Sequence, residues 1–454
     1  MSTSGGAAFS RCLAVLLLSG AVETTVVTSA CARAKDERPV FELGPEVLVS
    51  GDADGGALRV EPSAALRGRY ALVAWNDSWG GRHGSESGTA VGWAVSDDGA
   101  HSFRFGGYVP AAREGEPPAG ADSWLATDAS GVFYLQVLTW SPSRHALRIF
   151  VMNPSDSLAW TEMAPAAVAD LTVGEEALDK PALTVSPDGR LTVVYQRGRR
   201  IMLRRSPDGG RHWLPERLVS DSATARAHGP SVTSAGDRYV VCWYEQEAPG
   251  SAEELWCNRS NDGHRFGRPE RLFRSERALP PPTGYRIAVG RFAPGANAWV
   301  AADPSTGRIY LAFAAGTAQA SDILLWRLDR ADTSWRGPDR VGHGPPAASK
   351  VFPTVAVAEG IPHVMYYDQR RDPGTGWTDV YLSSRTGDGH HDIRLNDEPT
   401  DWTLMPPDAE HAPIQRNAGD YITLAADGPR LLAVWTDGRL GQPRIFARTV
   451  EVIR

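Results

Sequence analysis

Polar side chains able to do chemistry recur at two kinds of place in this 454-residue chain. One kind follows strongly apolar runs: Asn76, Asp77, Arg82 and His83; Gln196, Arg197 and Arg199; Glu245 and Glu247; Asp368, Arg370, Arg371 and Asp372; Asp437 and Arg439. The other kind opens a second set of runs, at Arg59 and Glu61, Asp122, Asp179 and Lys180, His228, Asn297 and Asp420. Guanidinium groups in such number suit bidentate, charge-assisted capture of a carboxylate. Metal chemistry is not indicated: His83, His228, His343 and His411 are scattered without ligand spacing, and Asp52-Ala53-Asp54-Gly55 lacks the further oxygen ligands of a calcium loop. No cofactor is expected. Trp75-Asn76-Asp77, Tyr367-Asp368-Gln369-Arg370 and Trp435-Thr436-Asp437-Gly438-Arg439 repeat an aromatic-X-Asp pattern, and that recurrence favours a stabilising contact over a site.

The elements that must hold these groups are seven copies of one unit. Its second strand reads YALVAW at 70–75, VFYLQV at 132–137, LTVVY at 191–195, YVVCW at 239–243, IYLAF at 309–313, PHVMYY at 362–367 and LLAVW at 431–435. A preceding strand recurs as WLATD, PALTV, PSVTS, WVAAD, PTVAV and YITLA, joined to it at or near Gly131, Gly189, Gly236, Gly307, Gly360 and Gly428, which is repeated hairpin chemistry. The units recur from about residue 45 to 454, leaving no room for a second domain.

The third strand runs into a turn of the form Ser-X-Asp-Gly-Gly-X-X-Trp. Ser206, Asp208, Gly210 and Trp213 fit it fully; Ser96, Asp98, Gly99 and Phe103 fit with Ala100 for one glycine; Ser260, Asp262, Gly263 and Phe266 are one residue short. The aspartate can accept backbone N–H groups within the turn while the aromatic packs beneath. These turns resemble the Asp-box, or bacterial neuraminidase repeat, of the sialidase superfamily, and their role there is structural. The resemblance implies a β-propeller. The expected fold is all-β, with seven blades of four antiparallel strands; six blades, or two smaller sandwiches, are the alternatives. The last unit lacks a fourth strand, but PEVLVS at 45–50 nearly copies the fourth-strand string PERLVS at 215–220, so the N-terminal strand is expected to close the seventh blade. Loops between second and third strands then share a face with the blade-to-blade connections, opposite the Asp-box turns, and function is expected on that face. Two long connections, 274–297 and 396–420, are candidate lids.

Residues 1–34 have the layout of a secretory signal peptide, with an apolar run from Cys12 to Val22, and a lipoprotein signal ending at Cys31 is the alternative. A short linker at 35–44 precedes the propeller at 45–454. Export to the cell envelope or beyond is expected, with no membrane span and a lipid anchor only if Cys31 is modified. Cys242 and Cys257 lie on two strands joined by a turn, so a disulfide is expected, with two buried thiols as the alternative. A net charge of -7 speaks against a nucleic-acid partner, and a monomer is expected.

Sialidases of this superfamily carry an Arg-Ile-Pro motif, three arginines for the substrate carboxylate, an Asp acid and a Tyr nucleophile paired with Glu. On that resemblance Leu58-Arg59-Val60-Glu61-Pro62 stands for the early motif with one extra residue. Arg286, Arg371 and Arg439 are the further ligand-binding candidates, Asp77 or Asp122 the acid, Tyr367 the nucleophile and Glu245 its base. The implied function is recognition of an extracellular glycan or protein through the channel face, with exo-α-sialidase-like hydrolysis a further expectation. The alternatives are a non-catalytic envelope propeller and a lyase-type propeller using Tyr, His and Arg against uronic acids.

Overall fold

The computed structural model describes residues 39–51, 58–78, 89–111, 120–221, 226–246, 252–275, 298–316, 321–345, 348–373, 376–387, 389–405 and 418–453. Residues 1–34, read as a signal peptide with Cys31 as the lipidation alternative, lie outside them, as do Arg82, His83, Glu247, Arg286 and, of the two candidate lids, residues 276–297 and 406–417. Among the described residues no helix is long and apolar enough to cross a membrane.

The described residues form seven separate antiparallel sheets. Their innermost strands are Arg59–Arg67, Ala121–Thr127, Leu178–Val185, Arg226–Ala235, Trp299–Ala302, Lys350–Ala358 and Thr423–Asp427, which number blades 1 to 7. Each innermost strand packs on that of the next blade and the first packs on the seventh, so the ring closes with seven blades, and the six-bladed and two-sandwich alternatives fall. Blade 2 has two short outer strands on Arg144–Met152, and blade 6 adds Thr400–Asp401 beside Trp377–Thr386.

The closing strand is found, and it is longer than expected. It runs Val40–Leu48, starting within the stretch read as linker, and pairs with the last strand, Arg444–Ile453, from Val40 opposite Ile453 to Leu48 opposite Phe446. A register break between Leu43 and Glu46 accommodates Gly44-Pro45. Arg439 ties the closure from the other side, with both terminal nitrogens on the Glu46 carboxylate at 2.8 and 3.2 Å. Such closure covers the edge of the last strand and ties the two ends of the ring into one blade.

Each second strand is buried because sheets pack on both its faces, and its terminal aromatic fills the space between blades. Trp75, Trp243 and Trp435 are fully buried. At ~25 cal/mol per Å2, burial of one such ring is worth about 4 kcal/mol. A buried indole N–H needs an acceptor, and the acid two residues on supplies it: Trp75 donates to Asp77 at 3.3 Å, Trp243 to Glu245 at 2.9 Å and Trp435 to Asp437 at 3.2 Å. The recurrent aromatic-X-acid pattern therefore holds blades together, through the indole. In blade 4, Cys242 stands opposite Cys257 with Cα atoms 4.1 Å apart, and the two are joined by a disulfide.

The Ser-X-Asp turns bond alike in three blades. Ser206 Oγ donates to Asp208 and accepts the Gly210 N–H at 2.8 Å, while Asp208 accepts the His212 N–H at 2.9 Å. Ser96 and Asp98 repeat this with Ala100 and His101, and Ser260 and Asp262 with Gly263 and Arg265. Trp213 donates its indole N–H to Ala164 O of the neighbouring blade at 2.9 Å.

Candidate functional site at the channel mouth

One backbone device repeats where the innermost strands begin. The pairing of innermost with second strand skips between Val60 and Ser63, Ala121 and Trp124, Asp179 and Ala182, His228 and Ser231, and Val351 and Thr354. Inside each bulge one residue has a left-handed backbone: Glu61 (φ 56°), Asp122 (50°), Lys180 (42°), Gly229 (51°) and Phe352 (55°). Gly229 takes this conformation without strain, but a residue with a side chain gives up about 1 kcal/mol to hold it. Three successive blades accept that cost and place a charged side chain there.

Those side chains meet. Lys180 Nζ lies 2.7 Å from Asp420 Oδ2, 3.4 Å from Asp122 Oδ1 and 3.9 Å from Glu61 Oε1, so blades 1, 2, 3 and 7 converge on one ammonium. Asn76 couples blades 1 and 2 by donating to Glu61 Oε2 at 2.6 Å and accepting the Asp122 N–H at 3.0 Å. Glu61, Asp122 and Asp420 are buried, and the Lys180 side chain keeps 18% of its surface exposed. One layer deeper, Trp124 of blade 2 and Trp299 of blade 5 stack across the channel at 4.8 Å, with Tyr421 6.2 Å from Trp124. The mouth is thus a charged cup on an aromatic floor, and the cavity between them, beside Asp122 and Lys180, has room for about one water molecule.

Burial and crowding set the charges. Burial pushes the Glu61 carboxyl well above its ordinary range; Lys180 pulls it back, and the Asp420 and Asp122 carboxylates push it up again. Burial would make Lys180 shed its proton, but the carboxylates of Asp122, Asp420 and Glu61 outweigh it and hold the ammonium firmly. Burial, then the Asp122 charge, raises Asp179. His228, stacked on Tyr244 at 5.2 Å, is pushed down to about 3 by burial, with Arg226 and Lys180 adding to it, so it is neutral. Burial therefore favours the protonated form of Glu61 next to Asp122, and two carboxyl groups in unlike surroundings are what general acid–base catalysis uses. Among the described residues no group of three or more His, Cys, Asp or Glu side chains is disposed to hold a metal ion.

Of the catalytic and ligand-binding candidates among the described residues, only Asp122 stands in this cluster. Asp77 is fully buried and binds Arg59 Nε at 3.1 Å as well as the Trp75 indole. Arg59 also donates to the carbonyls of Ser50 and Gly51, which leaves its guanidinium inside the blade 7–blade 1 contact. Glu245 sits under Trp243 in blade 4, with burial raising its pKa. Tyr367 is fully buried and donates its hydroxyl to Thr436 O at 2.6 Å, with burial raising its pKa well above the ordinary value. Arg439 is enclosed by Glu46 and Asp437, and Arg371, half exposed, lies 3.3 Å from Asp379 on the rim of blade 6. Among the described residues the arginine candidates therefore occupy separate blades. Glu61, Lys180 and Asp420 were visible as members of the ring of strand openings; a charged residue before proline, as in Glu61-Pro62 and Lys180-Pro181, was the signal that could have singled two of them out.

No protein-family model matches the chain, and no curated protein matches it. Among solved structures the chain is similar to a protein of unknown function from Dyadobacter fermentans DSM 18053, at 11% identity over 91% of this chain and 99% of that one, with a TM-score of 0.46. It is also similar to an ulvan lyase bound to a glucuronate–sulfated rhamnose unit, at 10% identity over 90% and 95% of the two chains and a TM-score of 0.47. An exo-1,5-α-L-arabinanase from a bovine ruminal metagenomic library matches at 12% identity over 75% and 97%, with a TM-score of 0.38. Likenesses of this depth say nothing about what the present chain acts on.

Proposed function

We infer that the chain is a glycan-recognising propeller that works through its channel face, with the mouth cluster equipped for hydrolysis of a glycosidic bond. The observation that carries this reading is the convergence of Glu61, Asp122, Lys180 and Asp420 from four blades, three of them on left-handed backbone. Glycoside hydrolysis asks for one carboxyl that keeps its proton and one that does not. Burial favours the proton on Glu61, Asp122 lines the cavity that has room for a water molecule, and Lys180 with Asn76 fixes the two. This mechanism fits the geometry better than a sialidase-type one. Arg59 is held by Asp77 and the carbonyls of Ser50 and Gly51, Arg439 is enclosed by the carboxylates of Glu46 and Asp437, and the Tyr367 hydroxyl is spent inside the core.

Recognition without turnover is the second reading, and the seat of Lys180 Nζ against Asp420 favours it, because the ammonium occupies the space between the acids. A panel of aryl glycosides and soluble polysaccharides, assayed with the wild-type protein and Glu61→Gln, separates the two. Hydrolysis that falls about 100-fold in the variant supports catalysis. Glycan binding without hydrolysis supports the second reading, and neither binding nor hydrolysis of any member removes both.

A further inference from the structure

A second concavity opens on the same face, at the rim of blade 6, with a volume of about 210 Å3. Its wall is Trp377, the first residue of the third strand, which leaves 45% of its surface exposed, and Pro399 stands among the other lining residues. Its floor is polar and rigid. Thr378 accepts the Trp402 indole N–H at 2.8 Å, and the buried Asp379 carboxylate receives Asn396 at 3.0 Å, Arg394 at 3.4 Å and Arg371 at 3.3 Å. Gln369 is buried beside them, its backbone N–H held by Ser349 O at 3.0 Å.

The geometry points to a binding subsite for one neutral sugar ring of a longer glycan. An exposed indole offers an apolar face to the C–H side of a pyranose, and fixed amide, hydroxyl and carboxylate groups in a small cleft suit its hydroxyls. The size fits a single ring. The charge argues for a neutral sugar: Arg370 lies between Asp368 at 2.7 Å and Asp392 at 2.6 Å, and Arg371 and Arg394 share Asp379, so three guanidiniums stand against three carboxylates and the rim has no surplus positive charge for a uronate or a sialic acid. Exposed Asp372 adds negative charge. The ligand class rests on the glycan reading of the channel face; the cleft itself does not depend on the mouth.

Affinity electrophoresis of the wild-type protein, Trp377→Ala, Arg371→Ala and Glu61→Gln in gels containing dextran, galactomannan, arabinoxylan or polygalacturonate tests it. Thermal midpoints serve as the folding control, and Trp377→Ala is expected to leave the midpoint in place because its ring is half in solvent. Retardation by at least one neutral polysaccharide is expected to weaken about tenfold or more in Trp377→Ala and severalfold in Arg371→Ala. Full retardation in both of these variants overturns the subsite, and if Glu61→Gln loses it the mouth reading stands alone. Loss in Trp377→Ala with full retention in Glu61→Gln keeps the subsite and shows that binding at the rim does not depend on the Glu61 carboxyl. Loss confined to polygalacturonate overturns the neutral class, and a wild type retarded by none of the four overturns both proposals.

Discussion

The two faces of the ring use the same acidic side chains to opposite ends. On one face Asp98, Asp208 and Asp262 are held at about 2, each by local hydrogen bonds: foremost the Ser102 hydroxyl, the His212 side chain and the Arg265 N–H respectively. On the other face Glu61 and Asp179 are pushed upward, first by burial and then by like charges from neighbouring blades. A carboxylate whose partners lie within four residues is a turn fastener, and its pattern is readable as a motif. A carboxylate whose partners come from three other blades is strained, crowded and poised for proton transfer, and no motif announces it.

That contrast can be broken first at Lys180. Lys180→Met removes the one cation among three carboxylates and is expected to destabilise the protein by about 3 kcal/mol, as stripping one partner from a buried ion network does. A urea midpoint unchanged from wild type would show that the cluster is solvated. Ser206→Ala is the matching test of the turn face: it deprives the Gly210 N–H of its acceptor and is expected to cost about 1 kcal/mol by the same measurement. The smallest effects are in pH dependence, and their signs differ. The folded-state pKa of Glu61 lies above 4.5, so its contribution is present below that value and is lost as pH rises through the folded value; Glu61→Gln flattens that loss. The three turn aspartates sit at about 2 against an ordinary 3.8, so their contribution is present above 3.8 and is lost as pH falls toward 2. A triple Asn variant at 98, 208 and 262 is expected to lose less stability than the wild type between those limits, and an identical acid profile would contradict the bonding described.

The ring of blades was legible because its signals are local and repeated: YALVAW and its six cognates, the glycine hairpins, and PEVLVS echoing PERLVS across the chain. The site was legible only as a ring of strand openings that included Glu61, Asp122, Lys180 and Asp420. Which of them meet depends on bulges with left-handed backbone at Glu, Asp and Lys, of which only Asp has a preference for it, and on a contact between Lys180 and Asp420 across 240 residues. Asp77 and Glu245 drew attention as acids, yet the tryptophan two residues before each was the better guide, since a buried indole N–H requires an acceptor. Tyr367 belonged to an apolar run, and its hydroxyl found a backbone carbonyl in the next blade, a pairing that no local pattern encodes.

The most direct test of the account sets one aspartate from each face side by side. Asp122→Asn and Asp208→Asn, compared for turnover or, failing turnover, for binding of the glycan best handled by the wild-type protein, are expected to diverge: a loss of about 100-fold in the first and a change within about twofold in the second. Equal activity in Asp122→Asn and wild type, or a loss confined to Asp208→Asn, would contradict the assignment of the channel mouth as the working face.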